Sequence, residues 1–153
     1  MATSKRIFCD TNILLDVLDA ERPYHDDAVA LLWYAAENPV RVELLASISS
    51  FKDAYYILTR LYRDEPKARK TIDELMGGFF TPVDLLASYG SEAMAADEPD
   101  FEDALIGVSA EHEEAFILVT RDASAFAHCS VPVMSAAELL AREGFEYESV
   151  DWR

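Results

Sequence analysis

The sequence predicts an α/β fold, a three-layer α/β/α sandwich with a mainly parallel central sheet. Three observations predict it. Short apolar runs alternate with segments of helical period along the chain, the order expected of βα units wound into a parallel sheet. Phe116 to Val119 is apolar without interruption, as strands are when helices cover both faces of their sheet. With Gly 5 and Pro 6 among 153 residues, breakers are too few for a linker-rich or broadly disordered chain.

In order, Arg6 to Asp10 reads as a short buried strand ending at the polar turn Thr11-Asn12. Ile13–Asp19 and Tyr24–Glu37 have helical spacing, the second with Ala28, Leu31, Leu32 and Ala35 on one side and Pro39 beyond its end. Val42–Ser47 is the second strand; Ser49-Ser50 supply caps for a helix over Phe51–Tyr62. Asp64 and Pro66 open the next helix, which ends at Gly77-Gly78. Phe79–Val83 is a strand, Asp84–Ala96 a helix, and Pro99-Asp100 start an amphipathic helix to His112. Phe116–Thr120 and Val131–Met134 are the last strands, and a helix follows Ser135.

A length of 153 residues is the prior for one domain spanning 1–153, able to bury about two-thirds of its unfolded surface. No apolar run reaches the ~18 residues of a membrane span, and the start lacks the apolar core of a secretory signal. Two cysteines, Cys9 and Cys129, make no disulfide framework. The expectation is a cytoplasmic protein with no membrane contact, Cys9 being a core residue and residues 143–153 a solvated acidic tail.

Thirteen Lys+Arg against 29 Asp+Glu give a net charge of −16, which as a whole repels nucleic acid and suits metal ions or a basic protein. The charge is uneven. Lys52, Arg60, Arg63, Lys67, Arg69 and Lys70 face only Asp53, Asp64 and Glu65 within one short stretch. Lys52, Arg60 and Arg63 there, with Arg121 elsewhere, are candidate RNA contacts, and Tyr55, Tyr56 and Tyr62 could stack on bases. An ordinary helix surface with core tyrosines is the plainer reading.

Asp10 and Asp122 stand just beyond the carboxyl ends of buried strands, the rim where open parallel sheets bind ligands. Asp53, early in the helix after the second strand, reaches the same rim, and Asp100 and Asp103 open the helix before the Phe116 strand. Each has a bland reading: a helix cap for Asp10 and, more so, Asp100, the helix dipole for Asp53, turn chemistry for Asp122. Together they are costly, because clustered carboxylates raise one another's pKa unless a cation sits among them. An all-oxygen set suits Mg²⁺ or Mn²⁺; His25, His112 and His128 lack ligand spacing.

Ile7-Phe-Cys-Asp-Thr-Asn-Ile-Leu-Leu-Asp16 resembles the opening motif of PIN-domain proteins. Ser47 to Tyr56, Asp100-Phe-Glu-Asp-Ala-Leu-Ile106 and Val119-Thr-Arg-Asp122 are similar to the second, third and fourth motifs, in the family's order. The resemblance implies a PIN-like fold and a metal-dependent ribonuclease, most like the toxins of VapBC-type toxin–antitoxin systems. It makes Asp10, Asp53, Asp103 and Asp122 catalytic, with Asp10, Asp103 and Asp122 holding the metal. Asp53 stands where many relatives have Glu. Thr11 and Asn12 would position Asp10 or a water, and Asp100 and Glu102 would support or substitute for ligands. It also implies an antitoxin partner and a homodimer contact on the helices around Tyr24–Ala36 and Leu61–Met76, where core packing is the plainer account. The competing class is a non-catalytic PIN-like module whose acidic rim binds a metal or a basic protein segment. A phosphatase with Asp10 as nucleophile fits poorly, since the second Asp usual two residues on is Asn12.

Overall fold

In the computed structural model, which describes residues 3–148, the predicted alternation holds. The first half runs β1 (Lys5–Cys9), α1 (Thr11–Leu18), α2 (His25–Glu37), β2 (Val42–Ser47), α3 (Ile48–Tyr62) and α4 (Glu65–Gly78). The second half runs β3 (Thr81–Val83), α5 (Ala87–Ala95), α6 (Phe101–His112), β4 (Ile117–Val119), β5 (Val133–Met134) and α7 (Ala136–Arg142). The sheet has the order β3-β2-β1-β4-β5 and every pairing is parallel.

Successive strand residues point to opposite faces. Ile7 and Cys9, Leu44 and Ala46, Ile117 and Val119 pack with residues of α1 to α4 and α7. Phe8, Leu45, Val83 and Leu118 meet α6 and the turn after β4. Residues 7–9 and 117–119 are all 0% exposed, which is why these strands read as unbroken apolar runs. On the second face α5 leans on α6 through Tyr89, Ala93, Ala104 and Val108. Three-layer α/β/α architecture is thus a direct result of strands that are apolar on both sides.

The boundaries differ from the sequence reading in physical detail. α3 begins at Ile48, because Ser47, not Ser49 or Ser50, is the cap and accepts a hydrogen bond from the Ser49 N–H. β3 is shorter than Phe79–Val83, since Phe79 is spent closing α4 through its N–H to the Leu75 carbonyl. Pro82 fits β3 because that strand is an edge, where a missing N–H costs little. Asp84–Leu86 stay outside α5. A 3₁₀ turn, Ala123–Phe126, was not expected.

The start of the supposed solvated tail is docked rather than free. Glu143 pairs with Lys5 at 2.6 Å, Phe145 meets the Tyr34 ring edge-on at 5.5 Å, and the Tyr147 hydroxyl donates to Asp27. Trp152, with the rest of 149–153, lies outside the described residues. Among the described residues no helix is long and apolar enough to cross a membrane.

Candidate active site at the crossover of the sheet

From β1 the chain winds outward through β2 to β3, then returns to β4 on the other side of β1. The carboxyl ends of β1 and β4 are therefore the point where strand order reverses, the usual crevice for ligands in such sheets. Asp10 follows β1 directly, and its N–H donates to the Val119 carbonyl at 3.0 Å. Asp122 follows β4 and heads the 3₁₀ turn.

Asp10 is 4% exposed. Oδ1 accepts from the Thr11 N–H at 2.7 Å, so it does cap α1. Oδ2 accepts from the Thr120 hydroxyl at 2.9 Å. Burial pushes its pKa up; these two hydrogen bonds and Arg121 pull the other way, while Asp122 adds to the rise. The Thr120 oxygen in turn accepts the Asp122 N–H at 3.1 Å, so one hydroxyl links the two aspartates. The Asp122 carboxylate accepts from Ser124 at 2.6 Å.

Asp10, Asp53, Asp100, Glu102 and Asp103 line one cavity of about 540 Å³, together with Thr11, Asn12, Tyr56, Ile57, Arg60 and Ile106. The start of α1 is tied to α3 by a Thr11–Ser50 hydroxyl contact of 2.7 Å. α6 is capped by Asp100, which accepts the N–H groups of Glu102 and Asp103, and this projects both acids from its first turn. Asp103 is pushed up to about 6 by burial and by Asp10, Asp100, Asp122 and Glu98. Glu102 meets Asp53 within hydrogen-bond reach, and that contact, then burial and the charges of Asp53, Asp100 and Asp103, raise its pKa. Two carboxyl groups that close require a proton or a cation between them.

The remaining expected residues divide. Asp53 reaches the cavity, but its carboxylate also holds Lys52 at 3.1 Å. Thr11 fixes Asp10 through its backbone, and its side chain serves Ser50 instead. Asn12 does not position Asp10: its oxygen accepts from Arg22 and Arg121, both at 3.3 Å. Arg121 is engaged within the chain: it is 3.4 Å from Asp16 and lies over the Tyr24 ring at 5.1 Å. Arg60 lines the cavity, whereas Arg63 caps the far end of α3 in the left-handed region, about 15 Å along the axis from Asp53. Cys9 is 0% exposed, its thiol pushed up by burial, as a core residue should be.

Sequence reasoning missed Thr120, Asp16, Arg22, Ser50 and Glu98. Asp16 is 0% exposed and bonded to Arg22 at 2.8 Å. A charged residue within the apolar run Ile13 to Leu18 was the available signal. Glu98 accepts the His128 N–H through Oε1, while its buried Oε2 has no partner among the described residues.

Among the described residues no three Asp, Glu, His or Cys side chains close on one point as a ready-made chelate. The donor chemistry nonetheless fits a hard cation. All donors are carboxylate oxygens, burial and neighbouring acids together raise Asp103 and Glu102, and Mg²⁺ needs only one or two carboxylates because it keeps several waters.

Residues 6–124 match the family described as PIN domain. No curated protein matches the chain in sequence. Solved structures are similar in fold. The VapBC2 structure from Rickettsia felis, bound to a DNA fragment from its promoter, superposes with a TM-score of 0.63 at 17% identity, covering 85% of this chain and 98% of that one. Mycobacterium tuberculosis VapC20, described as a Sarcin-Ricin loop cleaving toxin, gives 0.62 at 18% identity, with coverage of 79% and 93%. FitAcB from Neisseria gonorrhoeae gives 0.57 at 18% identity, with coverage of 86% and 98%.

Proposed function

The chain belongs to the PIN domain family, and from that premise we propose that it is a Mg²⁺- or Mn²⁺-dependent endoribonuclease, the toxin of a toxin–antitoxin pair. One observation carries the reading: buried Asp10 and four further acids line a single cavity at the crossover of the sheet, with Asp122 beside them. Similarity in fold to a chain described as a Sarcin-Ricin loop cleaving toxin and to one described as a toxin–antitoxin complex from Klebsiella pneumoniae supports it.

Asp10, Asp103 and Asp122 would hold the cation, with Asp53 and Glu102 at its edge. Bound there, it supplies an activated water and neutralises charge on the scissile phosphate. Thr120 ties the Asp10 carboxylate to the Asp122 backbone N–H. Asp100 fixes the first turn of α6 and so the direction of Asp103. The groove between α3 and α4, with Phe51, Ile72 and Met76 in its lining, gives an antitoxin segment or a second copy an apolar seat.

The net charge of −16 favours a second reading, a metal- or protein-binding module without catalysis. RNA cleavage by the purified protein with EDTA, Mg²⁺ or Mn²⁺, beside Asp10→Asn, decides. Metal-dependent cutting that vanishes in the variant supports the nuclease; cutting that survives the substitution sinks the assigned site. Metal binding without cutting of any RNA supports the module.

A further inference from the structure

Tyr56 stands where two concavities meet. It lines the acidic cavity with Ile57 and Arg60, and it also lines the groove of about 980 Å³ between α3 and α4. Asp53, Tyr56, Ile57 and Arg60 share one face of α3 by their spacing. A carboxylate, an aromatic ring and a cation thus follow one another over about 10 Å of helix axis. Tyr56 is 58% exposed, so it is not one of the core tyrosines that the sequence suggested. Its ring is braced by Tyr55, edge-on at 5.2 Å, and Tyr55 is itself fixed by donating to Glu65 at 2.6 Å. Lys52, Arg69 and Lys70 are engaged with Asp53, Glu65 and Glu74; among the described residues Arg60 forms no ion pair.

We infer that Tyr56 is the stacking platform for an unpaired base of single-stranded RNA, next to the phosphate presented to the carboxylates, and that Arg60 holds a neighbouring phosphate. This rests on the nuclease reading of the same cavity. An aromatic face accepts any base, so it adds affinity without demanding a sequence. The cation beside it offsets repulsion between phosphates and the acids. A duplex keeps its bases stacked internally and withholds the face that Tyr56 needs, so unpaired strands are selected.

The test uses a single-stranded oligoribonucleotide carrying 2-aminopurine, whose fluorescence is quenched by stacking, with the full chain and its Asp10→Asn form. Tyr56→Ala should weaken binding roughly tenfold and abolish protein-dependent quenching, while Tyr56→Phe retains both. Arg60→Gln should lower the slope of log affinity against log salt by about 0.7, the share of one phosphate on a single strand. Unchanged quenching in Tyr56→Ala overturns the platform, as does equal damage from Tyr56→Phe, which would assign the role to the hydroxyl. So does a Tyr56→Ala defect confined to association with a protein partner or a second copy. Quenching by a wild-type protein that never cuts overturns the nuclease reading and leaves the platform standing; neither binding nor cutting overturns both.

Discussion

Asp10 and Asp16 lie six residues apart, and both are buried, at 4% and 0% exposure. Their surroundings are opposite. Asp16 receives two guanidinium groups, Arg22 at 2.8 Å and Arg121 at 3.4 Å. Asp10 receives one hydroxyl and one N–H, both uncharged, and faces the carboxylates of Asp103 and Asp122. A buried charge with its counter-ions in place is a fastening, here between the α1–α2 turn and the end of β4. A buried charge given only neutral donors is left open to a cation from solution. The two aspartates are indistinguishable by type and nearly so by burial; their partners separate structure from chemistry.

Removing the fastening should have the largest effect. Asp16→Ala leaves two arginines facing an uncharged interior and should cost about 3–5 kcal/mol in urea unfolding. A loss below about 1 kcal/mol would show that water already screens the cluster. Asp10→Asn reverses the pattern. Stability should hold or rise, while metal-dependent cleavage falls by more than about 100-fold, beyond the range seen when only a ligand's hydrogen-bonding partner is lost. Thr120→Val sits between them: it removes the donor to Asp10 Oδ2 and should weaken Mn²⁺ binding by about 10- to 100-fold in calorimetry. Thr120→Ser should restore it, and failure of that rescue would point to packing instead.

The smallest effect is a pH dependence. Asp103 has a folded pKa of about 6 against about 3.9 in an unfolded chain. Between those values the folded state binds a proton that the unfolded state has released, so stability falls as pH rises through this window. Without divalent metal the protein should therefore be more stable near pH 5 than at pH 7, by about 1 kcal/mol once solvent screening is allowed for. Asp103→Asn should flatten that slope, and saturating Mg²⁺ should raise stability at pH 7 by mass action. A chemical-denaturation series at the two pH values, with and without metal, reads all three.

Much of the fold is legible in the sequence. Apolar runs such as Ile7–Cys9 and Phe116–Val119 announce doubly covered strands, and an acid just past such a strand falls on the binding rim whatever the strand order. The partners were not legible. Thr120 meets Asp10 across 110 residues, and only the pairing of β1 with β4 brings them together. Asn12 and Arg121 drew notice because they border the candidate aspartates, yet Asp16 and its ion pairs claim them. Tyr56 differs from Tyr55 in the side of α3 it faces, set by its spacing from the buried Phe51, Ala54 and Leu58.

The pairing of β1 with β4 also sets a schedule. Asp10 leaves the ribosome early, but its Thr120 donor, its Asp122 neighbour and the strand that aligns them are translated more than 100 residues later. Until then β1 lacks one of its two flanking strands and the crevice has only one wall. Assembly of the centre thus waits for the synthesis of β4, and a nascent chain that stops short of it carries Asp10, Asp53 and Asp103 without the strand that completes their crevice.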